Sequence, residues 1–189
     1  MTMDEQDYQR LVLSIGGGAS FKSQERKALS FPEDTGLSYD EAYKWVETLG
    51  WYAFMGKGAP AVYQYFATAS VPQSYIVGLR ASLNLYNVDD AQVYAAFYRA
   101  GVPASYAHAF RAWTPNSILR FHADHVDPGY GAMGRGQDDR YVPADVLHPH
   151  RAGAPPEFAI PLVERGLRGK QVADLWHAGV PLEYALTLS

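Results

Sequence analysis

The sequence predicts an all-α fold of stacked short helices, a helical-repeat, solenoid-like architecture with an irregular N-terminal segment and a polar loop insertion. The main observation is a Gly-aliphatic-Pro pattern: Gly153, Gly166 and Gly179 begin copies of it 13 residues apart. A small or aliphatic residue follows each Gly by six positions, which leaves room for one short helix of about 14 Å. The composition, 48% apolar and 19% charged, provides for a core and is not that of a disordered chain.

The pattern has a local physical explanation. Gly suits the left-handed position that ends a helix, the aliphatic residue packs back on the last turn, and Pro fits the first position of the next helix. The same pattern begins at Gly101 and, with Ser in place of Gly, at Ser70. Gly36 begins a variant in which Ser38 and Glu41 form a capping box. Two copies together make a unit of 26 residues, which indicates duplication of a helical hairpin.

These boundaries predict the elements in chain order. Residues 1–35 form an N-terminal helix and a Gly-rich segment, with a loop or small irregular cap over 14–35. Residues 36–189 form the repeat domain, interrupted over 124–142 by a polar insertion rich in Gly and Asp. Helices are predicted over 4–13, 38–49, 59–69, 72–82, 89–100, 103–112, 115–123, 143–151, 155–164, 168–177 and 181–188.

The repeated pattern resembles short helical repeats that are common in actinobacterial and phage proteins. The resemblance covers residues 36–189 apart from the insertion. It implies the architecture and no single activity.

Charge and composition exclude several classes of function. The net charge of −4 and pI near 5.8 disfavour nonspecific binding of nucleic acid. There is no Cys, which removes disulfides and thiolate chemistry. An acidic start followed by no long apolar stretch predicts neither a secretory signal nor a membrane span, so we expect a soluble cytoplasmic protein.

Short helices joined by Gly-Val-Pro also suggest a DNA-associated regulator of phage type with a helix-turn-helix. Bulky residues, such as Phe97, stand where that motif requires a small one. The helices that follow the turns offer few side chains able to contact base edges. A phosphate-binding loop at Gly16–Ser23 is disfavoured because Phe21 replaces its second Gly.

A His/Asp cluster at 122–127 is the main alternative, a metal-dependent enzyme. His122, Asp124 and His125 are candidate ligands for a divalent metal, with His148 or His150 in support. No established metalloenzyme spacing is met, and turn or capping roles explain the same residues. No nucleophile elbow is present, so the sequence favours a non-catalytic protein that needs no cofactor.

We therefore expect a binding protein that engages another protein through the 124–142 insertion and neighbouring aromatic residues. Tyr63 and Tyr94 occupy equivalent repeat positions and would form an aromatic contact surface if they faced outward. The candidate binding residues are Trp113, Tyr130, Arg135, Tyr141, Tyr63 and Tyr94.

Overall fold

The computed structural model describes Gln6 and residues 22–55, 58–134 and 141–188, and it describes the backbone alone for residues 22–25 and 51. Every regular element within these ranges is helical, which confirms the all-α class. The elements are α1 (Lys22–Thr35), α2 (Tyr39–Met55), α3 (Ala59–Ala69), α4 (Gln73–Arg80), α5 (Val88–Arg99), α6 (Ala104–Ala109), α7 (Pro115–Ala123), a 3-10 helix (Pro128–Gly134), α8 (Pro143–Arg151), α9 (Pro156–Glu164), α10 (Gly169–His177) and α11 (Leu182–Ala185).

The chain divides into two compact units, Met1–Ala104 and Ser105–Ser189. Most predicted helices from residue 59 onwards agree with the observed ones to within two or three residues at each end. The last helix is shorter than predicted and ends at Ala185. Solenoid stacking of the whole chain stays a prediction.

Two expectations about the N-terminal part differ from the structure. The loop expected over 14–35 is wrong for its second half, because α1 occupies Lys22–Thr35 and buries Ala28 and Phe31 completely. Polar residues dominate the start of this helix, so its apolar face became evident only through packing. The helix predicted over 4–13 and the Gly-rich run at 16–18 lie outside the described residues, apart from Gln6.

Six of the described helices end with the same backbone arrangement, which we call a corner. At each corner a residue with positive φ follows the helix, and its N–H and that of the next residue donate to carbonyls three and five positions back. This is the Schellman arrangement, which satisfies carbonyls that a helix end leaves free. The left-handed residues, called corner residues below, are Ser70, Gly101, His125, Gly153, Gly166 and Gly179.

The corner at His125 lies inside the expected insertion, so the repeat continues through that segment. His125 has φ 53°, and Val126 N–H donates to Phe121 O at 2.9 Å. Six residues on, Gly131 takes the place of the small residue, and a Cβ there would collide with the backbone of Ala109. Residues 128–134 of the expected polar loop insertion form a 3-10 helix, and His in place of Gly hides the preceding corner in the sequence.

Side chains fix the starts of several helices in a common way. Asp90, Asp145 and Gln171 each accept a hydrogen bond from the backbone N–H three residues earlier, at 3.2, 3.2 and 2.8 Å. The buried Asp145 carboxylate also accepts from Gly169 N–H at 2.9 Å, which joins the start of α10 to α8. A Cβ on Gly169 would lie 2.6 Å from Ala144 O, so this close approach requires Gly.

Candidate functional site

Aromatic side chains connect successive corners in a repeated pattern. In each case an aromatic residue lies five positions after a corner residue. Its ring packs on a second aromatic residue, which lies three positions before a later corner residue. We call these contacts the ring–corner pairs. They are Tyr75–Tyr98 at 5.3 Å, Tyr106–His122 at 5.2 Å, Tyr130–His150 at 6.1 Å and Phe158–Trp176 at 5.1 Å between ring centroids.

The three tyrosines of these pairs add a hydrogen bond to the stacking. Tyr75 donates to Val102 O at 2.5 Å, Tyr106 donates to Val126 O at 3.0 Å, and Tyr130 donates to Ala154 O. Each acceptor is the residue directly after a corner residue, so ring and hydroxyl recognise one corner together. Such a pair combines aromatic packing with a satisfied polar group.

Burial raises the pKa values of these three hydroxyls. It raises the pKa of Tyr75 to about 12. Burial also raises the pKa of Tyr106 and Tyr130, and the Asp127 carboxylate adds to the increase at both because a nearby negative charge disfavours the phenolate. The three hydroxyls therefore stay protonated and donate throughout the physiological pH range.

The ring–corner pairs explain the His residues that the sequence proposed as metal ligands. His122 stands where other copies have Tyr98 or Trp176, and its ring packs on Tyr106. His125 is a corner residue with an exposed side chain. Backbone conformation and ring packing thus account for both positions.

Asp124 and the later His residues have other contacts. The Asp124 carboxylate forms a salt bridge with Arg151 at 2.9 Å, and its carbonyl lies 3.1 Å from His150 Nε2. His148 is exposed. Among the described residues, no group of three or more His, Cys, Asp or Glu is placed to hold a metal ion.

Three candidate binding residues belong to the core. Tyr94 and Tyr130 are each only 1% exposed, so Tyr94 does not face outward, as the predicted aromatic contact surface would require. Trp113 is buried against Phe121, and its indole N–H has no hydrogen-bond partner within the described residues. A ring buried inside its own unit cannot anchor a partner, because burial already removes its apolar surface from water.

The remaining candidates are spread over the chain. Tyr63 is half-buried between the rings of Phe31 and Trp45, both in the first unit. Tyr141 is half-buried in the second unit and lines a small cavity with Asp145 and Arg168. Arg135 lies outside the described residues. The structure therefore gathers none of the six into one exposed surface of described residues.

The copy that begins at Gly179 has exposed side chains that sequence analysis did not single out. Tyr184 lies five residues after the corner at Gly179, the position that Tyr75, Tyr106, Tyr130 and Phe158 hold in the other copies. Unlike them, Tyr184 is 61% exposed, as is Leu188. We call Trp176, Tyr184 and Leu188 the open edge.

An open groove of about 510 Å³ includes Leu188 and lies between the corner at Gly166, α10 and the segment after α11. Leu175, Leu167 and Leu188 supply its apolar lining, and Arg165 and Asp174 supply charges at its margin. Arg165 Nη1 donates to Leu186 O at 2.5 Å, which holds the C-terminal segment against the preceding hairpin. Aligning the copies on their corner residues places Tyr184 with Tyr75, Tyr106 and Phe158, and the corner at His125 adds Tyr130 to this set.

Comparisons with protein-family models, with curated proteins and with solved structures give no match for this chain. None of the described helices combines the length and apolarity that crossing a bilayer requires.

Proposed function

We propose that this protein is a non-catalytic helical-repeat protein that binds another protein through the open edge. The observation that carries the proposal is the exposure of Tyr184, a side chain at a repeat position that is buried or half-buried against a corner in each other copy with an aromatic ring there. This assignment keeps the function class expected from the sequence and moves the surface from the 124–142 insertion to the end of α11.

The chemistry of the edge fits a protein partner. Tyr and Trp side chains are enriched at positions that dominate binding energy, because each combines a large apolar area with a polar group. Tyr184 and Leu188 are 61% exposed, and Trp176 is 37% exposed. The charged groups of Arg165 and Asp174 stand beside the apolar lining of the groove, as in the polar margin of many interfaces.

The overall charge supports a protein partner over nucleic acid. A net charge of −4 opposes the neutralisation of phosphates on which nucleic-acid affinity depends. Lys170, Arg168 and Arg165 are the Lys and Arg residues nearest to the edge in sequence, and Asp174 and Glu183 lie in the same part of the sequence.

Photo-crosslinking in the native host tests this proposal. The chain would carry p-benzoylphenylalanine in place of Tyr184, and a matched chain would carry it in place of Tyr86, which is 39% exposed in the first unit. We expect a discrete protein adduct from position 184 and none from position 86. With that protein purified, Tyr184→Ser should weaken binding about 10-fold or more. Absence of an adduct at 184, or equal adducts at both positions, would overturn the proposal.

A further inference from the structure

The proposed partner is defined more closely by the four ring–corner pairs. We propose that the open edge receives a helix of another polypeptide that ends in the same type of corner. That helix would have an aromatic residue three positions before its left-handed corner residue. This inference rests on the proposed function, because it names what the open edge binds.

The argument starts from what covers the equivalent position in the other copies. Tyr75, Tyr106, Tyr130 and Phe158 each pack on an aromatic residue that lies three positions before a corner, with centroids 5.1–6.1 Å apart. The three tyrosines also donate to the carbonyl just after that corner. Four copies in two different units have this same contact. We therefore infer that the side chain five positions after a corner residue is suited to bind the end of such a helix.

Tyr184 has both groups that this recognition uses, an exposed ring and a hydroxyl. Its neighbour in the previous copy, Phe158, packs on Trp176 without a hydroxyl. A matching helix would therefore bring an aromatic ring onto Tyr184 and a backbone carbonyl to its hydroxyl. Gly at the corner and an aliphatic residue after it complete the expected sequence, aromatic-x-x-Gly-aliphatic.

Within the described residues, a second copy of this chain has no such helix with a free aromatic residue. Tyr98, His122, His150 and Trp176, the aromatic residues before the corners, are all paired within their own chain. The other two described Schellman corners, at Ser70 and Gly166, have Ala67 and Val163 at that position. The partner that we propose is therefore a different polypeptide.

The chain itself offers a direct test through an added repeat. Tyr184 lies 26 residues after Phe158, which is one step of the repeat. A second copy of residues 164–189, appended after Ser189, therefore continues the repeat in register. The appended equivalent of Trp176 should then pack on the Tyr184 ring. The backbone carbonyl of the appended equivalent of Val180 should accept a hydrogen bond from the Tyr184 hydroxyl.

Thermal melting of paired variants measures this contact. In the extended chain, Tyr184→Phe should lower the Tm by about 2–4 °C, the shift expected for one hydrogen bond in a protein of this size. In the original chain the same substitution should leave the Tm unchanged. Alanine at the appended Trp should lower the Tm of the extended chain and remove its sensitivity to Tyr184→Phe, whereas Tyr86→Phe should have equal effects in both chains.

Equal effects of Tyr184→Phe in the two chains would overturn the inference, and a Tyr184 adduct in the host would leave the proposed function standing. The host adduct gives a second test that does not require the extended chain to fold. Its crosslinked peptide should contain an aromatic residue three positions before Gly at a helix end. A crosslink to an unrelated segment would also overturn the inference, and absence of any adduct would overturn the proposed function with it.

Discussion

Aromatic side chains near the start of the first unit and near the end of the second unit differ in how far they are covered. In the first unit, α1 and α2 pack on α3: Phe31 contacts the rings of Phe54 and Tyr63 at 5.5 and 5.9 Å, and Trp45 packs on Tyr63 at 5.0 Å. In the second unit, α10 and α11 leave Trp176, Tyr184 and Leu188 exposed. The rings of the first unit are thus covered within that unit, whereas these three side chains of the second unit are exposed.

This difference bears on the proposed role of the open edge. Repeat proteins bury their apolar faces by stacking neighbours, and they need a terminal element with a polar outer face. The helix α1 fits such a role, since Ala28 and Phe31 are fully buried and Arg26, Glu33 and Asp34 are exposed. At and after α11 the exposed residues include the large apolar side chains Tyr184 and Leu188 together with Glu183.

The largest expected effect comes from breaking the covered edge. Phe31→Ala should lower the free energy of unfolding by about 3–5 kcal/mol, because it removes a fully buried ring and leaves a cavity. Leu188→Ala at the open edge should change it by less than about 0.5 kcal/mol. Urea titration followed by circular dichroism checks both. A large loss from Leu188→Ala would show that the open edge is part of the core.

A smaller effect separates paired from unpaired tyrosines. Tyr106→Phe should cost about 1 kcal/mol, because Val126 O loses its donor, and Tyr184→Phe should cost nothing in the unbound chain. Burial raises the pKa of Tyr106 above its usual value near 10, so the bond stabilises the fold fully below about pH 10 and less as pH rises further. The cost of Tyr106→Phe should therefore shrink in urea titrations above pH 10. A constant cost from pH 8 to pH 11 would contradict this account.

The smallest expected effect compares the two corners that lack Gly. His125 and Ser70 have φ of 53° and 54°, a conformation that costs an L-residue about 1 kcal/mol. His125→Gly in the second unit and Ser70→Gly in the first should each raise the free energy of unfolding by up to that amount. Gly101→Ala is the reverse control. Destabilisation by His125→Gly would mean that the imidazole makes a contact worth more than the backbone strain.

Local patterns in the sequence predicted much of the fold. The Gly-aliphatic-Pro pattern identified the corners at Gly101, Gly153, Gly166 and Gly179 and the helices between them, because corner geometry depends on a few neighbouring residues. The corner at His125 escaped notice because residues other than Gly are uncommon in the left-handed conformation. The sequence offered both a ligand role and a turn or capping role for His122 and His125, and the pairing of the His122 ring with Tyr106 became visible only in the structure.

The sequence by itself determined the helical class, most corners and the spacing of the copies, since these follow from backbone preferences within about ten residues. Only the tertiary structure decided which aromatic side chains are core and which are surface. Tyr94, Tyr130 and Tyr184 are the same residue type, yet the first two are 1% exposed and the third is 61% exposed. The difference depends on whether a distant segment packs on the ring, and for Tyr130 that segment is α8, which supplies His150, together with Ala154 just beyond it.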